Sequence, residues 1–267
     1  MFSFTTFLFY MFLPVVCFTK ISPKIMSGRP GQSIGAGVVG PKVFQVQTGF
    51  DNSRIKTPAE TSQESFILNN VIRYGLTEHL EVSAVINQNW DTTRSRLPLQ
   101  NNALSNTHNS GLSDFQLGFR SVVISESHGI KPTLALQTRF RTKWVDQNFR
   151  QQSVAPVFIL SMVHTLDSRF SLTHNFGFTT DETIQNNSSS IYFMTSSLSY
   201  SVNDRWGLFF EGYGNIKKDR GFYYFDAGGD YYINNNLKLD IAFGGGKNFG
   251  VRESFISLGF SWRTQHI

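Results

Sequence analysis

One glycine pattern in the sequence could bind the phosphates of a dinucleotide: Gly35-Ala36-Gly37-Val38-Val39-Gly40. A loop of this kind needs a strand before it and a helix after it, because the N-terminus of that helix receives the pyrophosphate. Pro41 follows the last glycine directly, and no strand–helix–strand pattern surrounds the loop. The pattern therefore predicts a flexible lead-in, and we expect no cofactor.

Two histidines, His164 and His174, fall in neighbouring predicted strands that are rich in Ser and Asn, which suggests a serine hydrolase site. No nucleophile-elbow motif accompanies them, and alternation places His174 on the outward face of its strand. The 6 histidines of the chain also lack the HxH or HxxxH spacing of zinc sites. We therefore assign no catalytic, cofactor-binding or metal-binding residue and do not expect an enzyme.

Charged residues form a third candidate set, since they fall on the phase opposite the apolar residues of their own strands. Side chains alternate between the two faces of a strand, so these charges share one face and could line an aqueous lumen. These charges could determine which solutes pass through the lumen. Alternatively, they could pair with one another and plug a narrow barrel. The candidate lumen-lining residues are Arg73, Glu81, Asp114, Arg120, Arg139, Arg141, Glu211, Asp226, Asp230, Lys238 and Asp240.

Alternating strands must position these charges. Leu80–Asn87, Leu134–Arg141 and Ile256–Arg263 each have one apolar face, and no helical periodicity is sustained after the lead-in. Short turns such as Gly75–Glu78 alternate with longer polar stretches such as Asp91–Ser110. This order predicts an all-β fold, a single transmembrane antiparallel up-and-down β-barrel of about 12 strands, with short periplasmic turns and longer extracellular loops.

Composition excludes several other classes. Charged residues make up 16% of the chain, aromatic residues 15%, and the mean hydropathy is -0.19, which is unlike a bundle of membrane helices. The net charge of +5 comes without Lys/Arg blocks, so we expect no nucleic-acid partner. A soluble β-sandwich also has strands with one apolar face. Strand length, a leader, unequal connections and aromatic residues near strand ends favour the membrane barrel.

The chain divides into four predicted parts. Residues 1–19 form a signal peptide with an uncertain cleavage site, because the uncharged run Phe2–Phe18 is short for a spanning helix and suits an export signal. Residues 20–41 form a flexible Gly/Pro-rich N-terminal lead-in, 42–263 the outer-membrane β-barrel and 264–267 a C-terminal tail. The only cysteine, Cys17, lies in the signal. Export places the barrel in the outer membrane of a Gram-negative bacterium.

Several segments carry a family resemblance. Five segments are similar to the outer-membrane transporter-like family labelled "MetA-pathway of phenol degradation", particularly its Bacteroidetes-type members. They are Arg29–Gln32, Val43–Gly49, Arg73–Glu78, Gly111–Gly118 and Leu258–Arg263. The resemblance covers most of the mature chain, and its motifs are turn signatures and inward polar positions. It implies an outer-membrane barrel for uptake of small molecules, with hydrophobic or aromatic solutes as candidates, and it supplies no catalytic residues.

Three functional hypotheses follow. The first is an outer-membrane transporter or channel for passive uptake of small solutes. The alternative is a structural or adhesive surface barrel that acts through its extracellular loops, and an outer-membrane hydrolase is the least favoured. The expected partners are outer-membrane lipid and lipopolysaccharide, the barrel-assembly machinery and a small-molecule solute. The sequence does not indicate the oligomeric state or whether the lumen is open.

Overall fold

The computed structural model describes residues 22–59, 61–97, 103–126, 131–182, 188–217 and 220–264. Twelve antiparallel strands form a closed barrel in which each strand pairs with its neighbours along the chain and β1 pairs with β12. The all-β class and the strand number predicted from the sequence are confirmed. The strands are β1 Phe44–Lys56, β2 Ser62–Gly75, β3 Leu80–Leu97, β4 Ala103–Ile124, β5 Thr133–Arg141, β6 Ala155–Thr165, β7 Phe170–Glu182, β8 Ser188–Ser201, β9 Trp206–Lys217, β10 Arg220–Asn234, β11 Leu237–Asn248 and β12 Val251–Arg263.

The two faces of the strands differ as the alternation predicts. On β11 the side chain of Ile241 lies on the outer surface, with the residue 46% exposed, whereas its neighbour Ala242 is fully buried on the inner side. On β5 Leu136 faces outward and Gln137 inward. An apolar outer wall is stable in hydrocarbon, where each charged side chain at mid-membrane would cost about 2–4 kcal/mol.

Aromatic pairs on the outer surface mark both ends of the apolar wall. Near one end the rings of Phe170 and Tyr200 lie 4.7 Å apart, and the rings of Trp206 and Tyr231 lie 4.6 Å apart. Near the other end the ring of Trp90 lies 5.6 Å from that of Phe66. Aromatic girdles of this kind sit at the two membrane–water interfaces of a β-barrel.

The two ends of the barrel have different connections. The turn end, as we call it, carries both barrel termini and tight connections such as Leu76–His79 and Asn235–Asn236. The opposite end, the loop end, carries the connection Thr142–Val154, which contains a 3₁₀ helix at Gln147–Phe149. Asp146 of this connection accepts a hydrogen bond of 2.5 Å from the backbone N–H of Leu112 on β4.

The polar stretches that the sequence assigns to long loops are largely paired strand. Residues 91–97 and 103–110 of the stretch Asp91–Ser110 belong to a hairpin in which β3 and β4 remain paired as far as Leu97 and Ala103. Both faces of a hairpin that projects into water can be polar, which removes the alternation that marks a membrane strand. Among the described residues no helix is long and apolar enough to cross a membrane.

Candidate functional site

Residues 22–41, which we call the inner segment, lie inside the barrel. The segment enters at the turn end, where Arg263 Nη2 donates a hydrogen bond of 2.7 Å to the carbonyl oxygen of Pro23. It leaves at the same end, where the N–H of Lys42 donates to the carbonyl oxygen of Gly75 at 2.8 Å. A Cβ atom on Gly75 would fall on the backbone of Gly40, so this exit requires glycine. The segment thus forms a loop that reaches into the lumen and returns.

Arg29 makes the most extensive side-chain contacts of the inner segment. Its Nε and Nη2 donate to Asp240 Oδ1 at 3.2 and 3.1 Å, and Nη2 also donates to Ser257 Oγ at 2.6 Å. Nη1 donates to Asn69 Oδ1 at 3.0 Å and lies 3.6 Å from Asp51 Oδ1. Asp51 itself accepts hydrogen bonds from Asn69 and Ser257. One guanidinium thus holds the segment to β1, β2, β11 and β12.

Backbone groups of the inner segment bind the opposite wall. Glu211 on β9 accepts hydrogen bonds of 3.0 Å from the N–H groups of Gln32 and Ser33, one on each carboxylate oxygen. Asn175 on β7 accepts from the N–H of Ile34 at 2.6 Å and donates to its carbonyl oxygen at 2.8 Å. The segment therefore crosses the lumen from Arg29 to β7 and β9.

A third cluster holds the segment as it returns. Glu81 on β3 accepts hydrogen bonds from Arg73 at 2.7 and 2.8 Å and from the N–H of Val39 at 2.9 Å. Arg120 lies 3.7 Å from the same carboxylate, and Arg73 and Arg120 both donate to the carbonyl oxygen of Gly37, at 2.9 and 3.0 Å. Because all three charged side chains are buried, the cluster is an ion-pair network closed by the backbone of the inner segment.

Other inward charges lie around these clusters. Lys238 lies 3.6 Å from Asp230 and donates to the carbonyl oxygen of Arg29 at 3.0 Å. Asp226 is directly opposite Glu211 in the strand register, and among the described residues neither of its carboxylate oxygens has a hydrogen-bond partner.

On the opposite wall, Arg141 lies 3.3 Å from Asp114. Arg139 donates to Gln137 Oε1 at 3.2 Å. Charge is therefore divided between two walls, because the candidate arginines lie on β2–β5 and four of the carboxylates on β9–β11. All the residues predicted to line the lumen lie on its inner side, and their role toward a solute stays a prediction.

Between the inner segment and the barrel wall there is a cavity of about 670 Å³ near the turn end. Its wall side is rich in hydroxyl groups, from Thr165, Ser171, Thr173, Ser197 and Ser199, and its other side is formed by residues of the inner segment from Ile25 to Val38. The interior is thus a polar space divided by a loop rather than a packed apolar core.

Aromatic rings also face the lumen. Tyr213 on β9 and Tyr224 on β10 are opposite each other in the strand register, and their rings stack with centroids 5.3 Å apart and an angle of 18° between planes. They lie on the same strand face as Glu211 and Asp226. Tyr232 lies closer to the turn end, on the wall of the cavity, and Lys238 Nζ is 5.8 Å from the centre of its ring. The lumen therefore offers aromatic surfaces beside carboxylates.

The sequence prediction for residues 20–41 missed this arrangement. It describes a flexible lead-in, whereas residues 22–41 make hydrogen bonds with strands all around the barrel. Glycines 35, 37 and 40 do not form a phosphate-binding loop, because the strand and the helix that such a site needs do not flank them. A sign in the sequence was Arg29, a cation in a small-residue segment without acidic residues, which could match the inward carboxylates.

The structure places the histidine candidates on the outer wall. His174 is opposite Met162 and Ser196, and His164 is opposite Leu172, in both cases on the outward phase. They are therefore separated by the strand backbone from the hydroxyl groups of the cavity. Among the described residues no cluster of three His, Cys, Asp or Glu side chains could hold a metal ion.

The closed barrel, its apolar outer wall and its charged interior define a transmembrane β-barrel of the outer-membrane type. The family described as "Putative MetA-pathway of phenol degradation" matches residues 27–264, and the chain belongs to this family. The family resemblance seen in the sequence and the outer-membrane location are confirmed. A comparison with curated protein sequences finds no match.

Solved structures share the fold at low sequence identity. An outer membrane channel from Pseudomonas putida F1 is 10% identical, with a TM-score of 0.68, 90% of this chain covered and 100% of that chain. The NanC porin is 7% identical, with a TM-score of 0.54 and coverage of 80% and 98%. The KdgM porin, solved with a disordered oligogalacturonate, is 7% identical, with a TM-score of 0.50 and coverage of 82% and 99%. These similar structures are channels and porins rather than enzymes.

Proposed function

We propose that the protein is a passive channel through which small solutes cross the outer membrane along the barrel lumen. The observation that carries this proposal is the content of the lumen, where a polar loop lies beside a cavity of about 670 Å³ in place of a packed core. Hydrogen bonds and ion pairs hold the loop, and water can replace these contacts when the loop shifts. The driving force is the solute concentration gradient, and the proposal includes no covalent chemistry.

The solutes we propose are small molecules that combine an aromatic ring with a polar group. The stacked rings of Tyr213 and Tyr224 can pack against a solute ring, and offset or tilted aromatic pairs contribute about 0.5–1.5 kcal/mol. The hydroxyl-rich wall of the cavity can then exchange hydrogen bonds with the polar group. The phenol-degradation label of the family supports the same solute class.

Two solutes of similar size and equal charge test this proposal. 4-Hydroxybenzoate and cyclohexanecarboxylate are both anions that cross lipid slowly on their own, and only the first has an aromatic ring. We expect liposomes containing the folded barrel to take up 4-hydroxybenzoate faster, and we expect Tyr213→Leu combined with Tyr224→Leu to remove the difference. Absence of conductance and of uptake in every lipid would refute the channel, whereas equal uptake of both solutes would refute only the aromatic preference.

A second candidate function is a structural or adhesive surface barrel. The β3–β4 hairpin favours it, because the pairing of β4 with β3 continues to Ala103 at the loop end, well beyond the pairing of β4 with β5, which ends at Gln116. Deleting residues 92–108 would then abolish partner binding and leave permeability unchanged. Phospholipid and peptide hydrolysis assays, with His164→Ala as the control variant, test the hydrolase hypothesis. Lipopolysaccharide and the barrel-assembly machinery are partners that we propose on the basis of the outer-membrane location.

A further inference from the structure

Three cations lie side by side on the outer surface of the barrel at the loop end. In the strand register Arg252 on β12 is directly opposite Lys56 on β1 and also directly opposite Lys247 on β11. All three residues are exposed and share the outward phase. We call these three residues the basic row. They border a groove of about 410 Å³ that is also lined by Arg54, Gly246, Glu253 and Ser254. Glu253 lies on the opposite, inward phase of β12.

The basic row is electrostatically unbalanced. Like charges that face each other directly on adjacent strands destabilise the pairing. Arg54 beside the row has a carboxylate partner, Glu64, at 3.2 Å. Within the described residues none of the three cations of the row forms an ion pair with a carboxylate. An anionic ligand that bridges the row would remove the repulsion.

The row lies at the level of lipid headgroups. Phe243 precedes Lys247 by four residues on β11, and Ile256 follows Arg252 by four on β12, and both are exposed on the apolar wall. Four residues of a strand tilted by about 40° rise roughly 10 Å along the membrane normal. The headgroup region is about 5–7 Å thick on each side, and long Lys and Arg side chains extend back toward it.

We infer that the basic row binds the phosphate group of a phosphorylated lipid in the outer leaflet. A guanidinium flanked by two ammonium groups matches a phosphate, because Arg supplies bidentate donors and Lys adds point charges. The ligand is a membrane lipid rather than free phosphate, since the row faces the membrane side of the wall and stands directly above apolar side chains that would contact acyl chains. This site is separate from the lumen and does not depend on the proposed transport.

The test compares lipids that differ only in phosphate content. The folded full-length barrel is titrated with lipid A, with dephosphorylated lipid A and with inorganic phosphate, and bound ligand is counted by native mass spectrometry. The variant carries Lys56→Gln, Lys247→Gln and Arg252→Gln. A matched control, Lys131→Gln with Arg169→Gln and Arg205→Gln, removes the same charge from exposed cations at the turn end.

We expect lipid A to bind the wild-type and control proteins and the row variant to bind roughly 100-fold more weakly, at about fivefold for each of the three cations lost. Retention of wild-type affinity by the row variant would overturn the inference, as would equal binding of the dephosphorylated lipid. Inorganic phosphate that binds as tightly as lipid A would overturn the choice of a lipid. Heat-modifiable migration on gels checks that every variant is folded, so a folding defect is not counted as lost binding.

Discussion

Replacing Arg29 by Ala should release the inner segment from the lumen. In the wild-type protein the guanidinium is nearly buried and donates hydrogen bonds to one carboxylate oxygen of Asp240, whose side chain is fully buried. Alanine leaves this carboxylate facing the segment without its closest cation, while Lys238 stays nearby. The substitution therefore destabilises the state in which the inner segment lies in the lumen, and it leaves the barrel wall unchanged.

The magnitude follows from the contacts of Arg29. Removing one partner of a buried ion pair typically costs about 3–5 kcal/mol. Lys238 and lumen water compensate part of this cost, so we take the lower limit. About 3 kcal/mol corresponds to a rise of roughly 100-fold in the population of the released segment.

Two assays measure this population. The first is the open probability of the channel in planar lipid bilayers. The second is the rate at which a water-soluble maleimide labels a cysteine introduced by Ala36→Cys in a protein without Cys17. Ala36 is buried within the inner segment, so labelling requires the segment to be released. Lys24→Ala is the matched control, because Lys24 belongs to the same segment but forms a solvent-exposed pair with Asp204 at 3.4 Å. If Arg29→Ala conducts and labels at the wild-type rate, the ion pair does not hold the segment and the reasoning is wrong.

Three further predictions concern barrel stability, measured as the urea midpoint of unfolding in lipid. Glu81→Gln should destabilise the protein by about 3–5 kcal/mol, because Arg73 and Arg120 would remain buried without their carboxylate. Ile241→Arg should cost about 2–4 kcal/mol at mid-membrane, and Ile241→Leu should be close to neutral. In the turn after β6, two backbone N–H groups lower the pKa of Asp167, so its ionised form stabilises the fold above the ordinary carboxyl pKa. The stability difference between Asp167→Asn and wild type should shrink as pH falls through that lowered pKa, and a difference independent of pH would contradict this assignment.

Alternation in the sequence was sufficient to predict the barrel wall, because lipid imposes a local rule on each strand. A charged residue such as Lys238 or Asp240 must lie on the inward face of its strand, and this requirement does not depend on the other strands. Val157 and Ile159 break the pattern in the sequence, since β6 is apolar on both faces. In the structure they are buried on the inner side, where no lipid rule applies and only the fit to neighbouring side chains matters.

The inner segment could not be predicted in the same way, because its contacts are non-local and many are made by its backbone. The N–H groups of Gln32, Ser33 and Val39 bind Glu211 and Glu81, and backbone groups carry no sequence signal. Small residues and glycines look like a flexible linker by composition, yet the same properties let the chain bend within a narrow lumen.

The inward charges have two uses that the sequence treated as alternatives. Arg73, Arg120 and Glu81 plug part of the lumen by pairing, but they do so together with the inner segment rather than by themselves. Contacts of this kind can be exchanged for water in steps, whereas an apolar plug would expose its whole surface at once. A barrel closed by a hydrogen-bonded loop is therefore consistent with transport, and conductance that rises in Arg29→Ala but stays at the wild-type level in Lys24→Ala would show that the loop is the barrier.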